Sequence, residues 1–293
     1  MGDAVAGWEA RGERVPADAG DVFVLDVPGE DGNGAQPLLV LHGFPTCSFD
    51  WRHVLPALAR HRRVVLLDFL GFGLSAKPDL RYGIRLHADT TEAVAARLGL
   101  ERVALLTHDM GDSVGGELLA RELEGTGRLA VSRRVLTNGS IYLDLAQLTA
   151  GQQLLLSLPD ERTPGLGADG GAAFRQGLAA TFSPDHAPSE EELDAQWQLV
   201  SREGGSSLLA RTIRYIEDRR VDERRFTGAI ERHPSPLGVV WGQLDPVAVP
   251  AMTSRLLVAR PGTPVVPLDG IGHYPMVEAP ELFADTVLEL LDG

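Results

Sequence analysis

The sequence predicts an α/β fold in which helices flank a mostly parallel central sheet. The prediction rests on an alternation of two sequence patterns and on the place where this alternation is interrupted. Short apolar runs, each the length of a buried strand, alternate along the chain with stretches of helical periodicity. This alternation stops near residue 140 and resumes near residue 226. We therefore expect a core domain formed by residues 1–139 and 226–293, with residues 140–225 inserted into it as a helical cap.

The predicted strands are short runs rich in apolar and β-branched residues, as expected for strands buried on both faces. They comprise residues 21–27, 37–42, 63–69, 103–107, 134–137, 236–241 and 264–268. Helical spacing of apolar residues appears in residues 86–98, 112–124 and 280–291, between or after these strands. Strands that alternate with helices favour a parallel sheet, because each helix returns the chain to the edge where the previous strand began.

The inserted segment has no convincing strand pattern. A loop rich in glycine and proline spans residues 163–171, and helical spacing follows in residues 189–200 and 207–219. The arginine pairs within residues 219–225 are interrupted by acidic residues, which predicts a solvated helix face. A long helical insertion of this kind is typical of a lid over a binding site.

The composition limits the classes of function. The 293 residues carry a net charge of −14, which repels nucleic acid and anionic lipid surfaces. The mean hydropathy is −0.03, and no apolar run approaches the roughly 20 residues that a membrane span requires. The first residues lack the pattern of a secretion signal and Cys47 is the sole cysteine, so we expect a cytoplasmic protein. We expect a small-molecule substrate, no cofactor, no metal, no nucleic acid and no membrane; the oligomeric state stays open, with a homodimer as one alternative.

The most informative motif lies at residues 107–111, where the sequence is THDMG. It joins a predicted strand to a predicted helix, as does the G-x-S-x-G turn that presents the nucleophile of many hydrolases. That strained turn needs small residues two positions to either side of its apex, and Thr107 and Gly111 occupy those positions. The apex is Asp109, so the sequence predicts a carboxylate nucleophile.

Two further residues complete a predicted Asp-His-Asp triad. In hydrolases with this turn, the acid and then the histidine follow the nucleophile along the chain. Asp245 comes just after the predicted strand 236–241, and His273 comes just after the predicted strand 264–268. We therefore predict that His273 acts as the base and that Asp245 orients it.

A candidate oxyanion hole lies near residues 42–45, where the sequence HGFP follows a predicted strand. The backbone N–H groups of Phe44 and Met110 are the predicted donors, and they would stabilise the oxyanion formed when water attacks an ester of Asp109. The glycines of residues 68–75 do not predict a phosphate-binding loop, because the third glycine and the lysine of such loops are missing.

Together these motifs resemble those of the α/β-hydrolase family, in its branch of epoxide hydrolases and haloalkane dehalogenases. The resemblance is carried by residues 42–46 (HGFPT), 68–73 (DFLGFG), 108–112 (HDMGD), 244–247 (LDPV) and 272–275 (GHYP). Within this branch the chain is most similar to the mesoderm-specific transcript group, including the lid residues 188–190 and 215–216. The resemblance implies an α/β-hydrolase fold with a helical cap inserted after its sixth strand.

A carboxylate nucleophile restricts the substrate. Attack on an acyl ester would form an anhydride, whereas attack on a saturated carbon forms an ordinary ester. We therefore expect a substrate with an electrophilic sp³ carbon, such as an epoxide or a haloalkane. Water activated by His273 would then hydrolyse the ester of Asp109.

The resemblance favours the epoxide. Dehalogenases of the family typically have tryptophan after the nucleophile and often asparagine after His-Gly, whereas this chain has Met110 and Phe44, whose side chains cannot donate a hydrogen bond. Epoxide hydrolases have lid tyrosines, one of them about thirty residues before the acid, and a phenol can donate a proton to an alkoxide. Tyr215 lies 30 residues before Asp245 and is the predicted proton donor.

The second lid tyrosine of the family has no clear counterpart, because residues 143–214 contain no tyrosine. The candidate substrate-binding residues are Trp197, Tyr142, His186 and His108. Trp197 is the favoured substitute donor, since its indole N–H can donate a hydrogen bond. Haloalkane hydrolysis with lid donors such as Trp197 is one alternative function, and a binding protein with a catalytically degenerate hydrolase fold is another. A serine esterase is disfavoured, since Ser113 lies in the predicted helix and not at the apex of the turn.

Overall fold

The computed structural model describes residues 4–30 and 35–293, and within these residues helices flank an eight-stranded, mostly parallel sheet. The predicted α/β fold class is therefore confirmed. The strands are β1 (Glu13–Val15), β2 (Val22–Val27), β3 (Leu38–Leu41), β4 (Val64–Leu67), β5 (Arg102–His108), β6 (Ala130–Thr137), β7 (Leu237–Gly242) and β8 (Val265–Leu268). Their order in the sheet is β1-β2-β4-β3-β5-β6-β7-β8, with β3 to β8 parallel to one another and β1 and β2 antiparallel to their neighbours.

The helices are α1 (Ala4–Glu9), α2 (Leu55–Leu58), α3 (Ile84–Arg97), α4 (Met110–Glu124), α5 (Ala150–Ser157), α6 (Ala172–Ala179), α7 (Glu190–Ser201), α8 (Leu209–Thr212), α9 (Tyr215–Arg232), α10 (Ala251–Ala259), α11 (Pro275–Glu278) and α12 (Pro280–Asp292). In the described part of the chain, no helix is both long and apolar enough to cross a membrane.

The sheet has buried side chains on both faces. In β3, Leu39 and Leu41 belong to one hydrophobic cluster, while Leu38 and Val40 belong to another. Successive side chains of a strand point to opposite faces, so the two clusters lie on opposite sides of the sheet. This arrangement explains why the central strands have nearly continuous apolar sequences.

All seven predicted strands are present within a few residues of the predicted bounds. The largest difference is in β6, which begins at Ala130 instead of residue 134, because Ser132 and Arg133 interrupt its apolar pattern. The sequence did not predict β1, which has three residues of which Val15 alone is buried. A strand this short has too few residues to show a periodicity.

Residues 207–219 are largely helical, as predicted, but they do not form one continuous helix. A 3₁₀ helix at Arg202–Leu208 leads into α8, and α9 begins only at Tyr215. Between them the N–H groups of Arg214 and Ile216 bond three residues back along the chain instead of four, which ends one helix and starts the next.

Residues 149–232, between β6 and β7, form helices α5 to α9 and no strand. We call this segment the helical insertion. The predicted boundary between residues 225 and 226 falls inside α9, near an interruption at Asp222 where φ is −124°. The division of the chain into a core and a cap stays a prediction.

Candidate active site

Asp109 lies at the turn between β5 and α4, with φ of 50° and ψ of −115°. Positive φ is uncommon for a residue with a side chain, and it costs conformational energy. Two glycines allow this turn to pack against the end of β3. A Cβ added at Gly43 would lie 2.5 Å from the Cβ of Asp109, and one at Gly111 would lie 2.6 Å from the carbonyl oxygen of Leu41.

The carboxylate of Asp109 is buried and faces backbone donors. The residue is 2% exposed, and the N–H of Phe44 donates to its Oδ1 at 2.8 Å. Burial raises the pKa of Asp109, while the charge of His273 and hydrogen bonds from the N–H groups of Phe44 and Met110 oppose this rise. Both predicted oxyanion donors therefore face this carboxylate.

His273 lies between two carboxylates. Its Nδ1 is 2.7 Å from Oδ2 of Asp245, and its Nε2 is 3.9 Å from Oδ2 of Asp109. Burial alone would lower the pKa of His273, but the charges of Asp245 and Asp109 outweigh this effect and raise the pKa to about 9. At neutral pH the ring is therefore an imidazolium.

Asn138 supports Asp245, although the sequence analysis did not identify it. Its Nδ2 donates to Oδ2 of Asp245 at 2.8 Å, and its Oδ1 accepts from the N–H of Gly242 at 3.0 Å. The other oxygen of Asp245 accepts from the N–H groups of Val247 and Ala248 at 2.7 and 2.9 Å. Asn138 has φ of 47°, a conformation that asparagine adopts more readily than most residues. The Asn-Gly pair directly after a strand is the local signal for this turn.

Tyr215, the first residue of α9, is 1% exposed, and its ring lies 5.9 Å from the ring of Phe44. Burial and the charge of Asp109 raise the pKa of Tyr215 well above its usual range, so its hydroxyl is protonated at neutral pH.

Arg219 lies one turn after Tyr215, and the prediction that it is solvated is wrong. The expected solvated face of this helix does not include Arg219, which is 5% exposed. Its guanidinium lies 6.0 Å from the ring centroid of Tyr215 and donates to the carbonyl of Ser140. The charge of Arg219 lowers the pKa of Asp109 and of Tyr215, although burial dominates at both groups.

A cavity of about 380 Å³ lies between the helical insertion and the carboxyl ends of the strands. On the core side it is lined by Phe44, Val247 and His273, which follow β3, β7 and β8. On the insertion side its apolar lining includes Leu154, Leu155, Leu166, Phe174, Leu178 and Trp197. Apart from His273 and Asp169, the described lining residues are uncharged. The size and the apolar lining are typical of a small-molecule site.

The four predicted substrate-binding residues lie in different parts of the structure. Trp197 lines the cavity, and its ring packs 5.5 Å from that of Phe174. His108 is fully buried beneath the site, where its Nε2 donates to the carbonyl of His273 at 2.9 Å.

Tyr142 and His186 lie outside the lining of this cavity. The hydroxyl of Tyr142 donates to Glu231 at 2.8 Å, in a different, polar groove. His186 is exposed, and its Nδ1 lies 3.1 Å from the hydroxyl of Ser183. Neither position could be derived from the sequence, because both depend on how the helical insertion folds back on the sheet.

Comparisons with known proteins agree with the fold. A family model described as the alpha/beta hydrolase family matches residues 38–286. The chain is 41% identical to the proposed hydrolase LipZ of Mycobacterium tuberculosis over 98% of each protein. It is 32% identical to the human mesoderm-specific transcript homolog protein, over 100% of this chain and 89% of that protein.

Two further comparisons concern a haloalkane dehalogenase and an epoxide hydrolase. A haloalkane dehalogenase of Agrobacterium fabrum is 35% identical over 109 residues, which are 37% of this chain and 36% of that protein. Among solved structures, the epoxide hydrolase CorEH superposes with a TM-score of 0.78 over 96% of this chain and 98% of that chain. The identity to CorEH is 18%, so this likeness shows the fold alone.

Proposed function

The chain belongs to the α/β-hydrolase family, and from this premise we propose that it is an epoxide hydrolase that forms a vicinal diol through a covalent ester of Asp109. One observation carries the proposal: the residue at the apex of the turn is a buried carboxylate that faces the N–H of Phe44 and the imidazole of His273. A carboxylate forms an ordinary ester when it attacks a saturated carbon, and an epoxide presents such a carbon.

In the first step, an oxygen of Asp109 attacks a ring carbon of the epoxide, and the ring carbon–oxygen bond breaks. The ring oxygen keeps the electron pair and takes a proton from the hydroxyl of Tyr215. The position of Tyr215 beside Phe44, a lining residue of the cavity, supports this role. The products of this step are a hydroxyalkyl ester of Asp109 and the phenolate of Tyr215.

In the second step, His273 first gives its proton to the phenolate of Tyr215 through solvent. The neutral imidazole then takes a proton from a water molecule whose oxygen attacks the carbonyl carbon of the ester. The N–H groups of Phe44 and Met110 stabilise the resulting oxyanion. The bond between this carbon and the ester oxygen then breaks, and the departing diol takes the proton from His273. The regenerated carboxylic acid of Asp109 returns its proton to His273, which restores the resting pair, so that one water is consumed for each diol formed.

Formation of the ester also prepares His273 to act as a base. In the resting protein the negative charge of Asp109 helps to raise the pKa of His273, and a protonated imidazole cannot accept a proton. The ester is neutral, so its formation removes this charge and lowers the pKa of His273. The base therefore becomes available only after the substrate is covalently bound.

The lining of the cavity favours an uncharged and mainly apolar epoxide. Its apolar side chains would be covered by an apolar substrate, which is favourable in proportion to the area removed from water. A carboxylated or phosphorylated substrate would have to approach a protein of net charge −14 and enter a lining with no arginine or lysine among its described residues.

Haloalkane hydrolysis is the second candidate, and the position of Trp197 favours it. A departing halide needs N–H donors, and the indole of Trp197 lies in the lining of the cavity. The similarity to the Agrobacterium haloalkane dehalogenase, although it covers 37% of this chain, agrees with this candidate. The side chains of Met110 and Phe44 offer no donor, which is why we rank it second.

A panel of styrene-type epoxides and haloalkanes separates these functions. Diol formation supports the epoxide hydrolase, halide release without diol supports the second candidate, and no turnover with either class supports a binding protein. A single turnover in heavy-oxygen water, with enzyme in excess, then tests the ester. We expect the label in Asp109 and none in the first diol, and label in that diol would contradict the covalent step.

A further inference from the structure

A buried carboxylate outside the predicted triad holds the backbone on both sides of His273. The carboxylate belongs to Glu278, at the end of α11, which is 8% exposed. Its Oε2 accepts from the N–H of Gly272 at 2.8 Å, and its Oε1 accepts from the N–H of Tyr274 at 3.0 Å. Because these two N–H groups flank His273 in the chain, Glu278 fixes the backbone from which the imidazole extends.

The same carboxylate also binds the helical insertion. Oε2 of Glu278 accepts a third hydrogen bond, from the N–H of Ser183 at 3.0 Å. The N–H of His273 donates to the carbonyl of Thr181 at 3.0 Å. The contact is close, since a Cβ added at Gly272 would lie 2.6 Å from the backbone nitrogen of Ser183. The loop that carries His273 and residues 181–183 of the insertion are therefore bonded to each other.

We propose that Glu278 is a positioning residue that clamps His273 to the helical insertion, so that residues 181–183 and the imidazole move together. This proposal takes only the role of His273 as a base from the proposed function. A charged acceptor forms stronger hydrogen bonds than a neutral one, and a buried carboxylate that lost these donors would be left without partners. The clamp therefore resists separation of the two segments.

The clamp acts on one step of the proposed reaction. Attack on the epoxide requires Asp109 and Tyr215, neither of which Glu278 contacts in the described structure. Hydrolysis of the ester requires His273, whose backbone Glu278 holds. The charge of Glu278 is also one of the groups that raise the pKa of His273, after the larger contributions of Asp245 and Asp109. Loss of the clamp should therefore slow hydrolysis of the ester more than its formation.

Two substitutions test the clamp in different ways. Glu278→Gln places an NH₂ group against N–H donors, while Gly272→Ala forces the two segments apart and leaves the carboxylate unchanged. Glu281→Gln is the matched control for the first, because Glu281 is exposed on α12. Gly7→Ala is the control for the second, because an added Cβ at Gly7 meets no atom within 4 Å.

Hydrogen exchange provides a measurement that needs no substrate. We expect peptides that contain residues 181–183 and peptides that contain residues 272–274 to exchange faster together, by about tenfold or more, in Glu278→Gln and in Gly272→Ala. The control variants should exchange at the wild-type rate. Faster exchange in only one of the two segments, or in neither, overturns the clamp.

Single-turnover kinetics and NMR give two further measurements. In Glu278→Gln, hydrolysis of the ester should slow by about 10- to 100-fold, while its formation changes by less than about threefold. The titration midpoint of the His273 ring, identified by its absence from the spectrum of His273→Gln, should be lower than in wild type. Equal slowing of both steps, or an unchanged midpoint, overturns the positioning role. If the wild type forms no ester with any epoxide, the proposed function fails, while exchange and titration still decide the clamp.

Discussion

Nε2 of His273 lies 3.9 Å from Oδ2 of Asp109, too far for a hydrogen bond but close enough for their charges to interact strongly at a buried site. Each group favours the charged form of the other. Before substrate binds, this pairing favours an ionised Asp109, the proposed nucleophile, and a protonated His273, the proposed base.

His273→Gln should allow the ester to form and prevent its hydrolysis. Glutamine is not basic enough to take a proton from water, while Asp109 and Tyr215 remain in place. Incubation with a reactive epoxide should therefore add the mass of the substrate to the protein, and peptide mapping should locate it on Asp109. His53→Gln, at an exposed position, is the control and should show turnover without accumulation. An unmodified His273→Gln protein would contradict the proposed reaction.

Tyr215→Phe should slow formation of the ester by about 100-fold or more, because the alkoxide then leaves without a positioned acid. Hydrolysis of the ester should change little, and rapid-mixing kinetics can measure the two steps separately. Tyr82→Phe is the matched control, since the hydroxyl of Tyr82 donates its hydrogen bond to the carbonyl of Pro78. Equal effects on both steps would remove Tyr215 from the role of proton donor.

Asp245→Asn should slow hydrolysis of the ester by about 10²- to 10⁴-fold, because the amide neither holds the protonated Nδ1 of His273 nor stabilises an imidazolium. The titration midpoint of His273 should also fall, since the charge of Asp245 helps to raise its pKa. Asp285→Asn, exposed on α12, is the control. A wild-type rate of hydrolysis in Asp245→Asn would indicate that another acid orients the histidine.

The features predicted from the sequence are those with local signals. The apolar run of β3 and the turn around Asp109 each need only a few neighbouring residues to be identified. The order of the triad along the chain then placed Asp245 and His273, and the structure brings both to the carboxyl ends of neighbouring strands.

The features that escaped prediction depend on contacts between distant parts of the chain. Glu278 and Ser183 are 95 residues apart, and nothing in the sequence near either indicates their hydrogen bond. Arg219 lies among other charged residues and has the sequence pattern of a solvated face, but α9 turns this side chain toward Ser140. Such partners follow from the packing of the insertion on the sheet, which local patterns do not encode.

Asn138→Ala should lower the free energy of unfolding by about 1–3 kcal/mol, because it leaves buried groups of Asp245 and Gly242 without a hydrogen-bond partner. Urea denaturation at neutral pH measures this change. Gln153→Ala is the control: the amide of Gln153 also donates to a backbone carbonyl, that of Leu148, but its side chain is exposed. A loss in Asn138→Ala no larger than in this control would show that the hydrogen bonds of Asn138 do not stabilise the fold.

The pH dependence of ester hydrolysis should differ from the titration of His273 in the resting protein. The pKa of His273 is raised to about 9 when Asp109 is charged, whereas the ester of Asp109 carries no charge. In the proposed reaction the neutral imidazole is the active base, so the rate of hydrolysis should rise with pH through the pKa of His273 in the ester. This midpoint should lie below about 9, because one of the charges that stabilise the imidazolium has been removed.

The measurement is a pH jump on ester formed in a single mixing step, with the diol quantified over time. NMR titration of the resting protein supplies the comparison, with the midpoint there expected at about 9. A hydrolysis midpoint equal to that of the resting protein would mean that the charge of Asp109 does not control the protonation of His273. In that case formation of the ester would not release the base, and the coupling between the two steps would have to arise elsewhere.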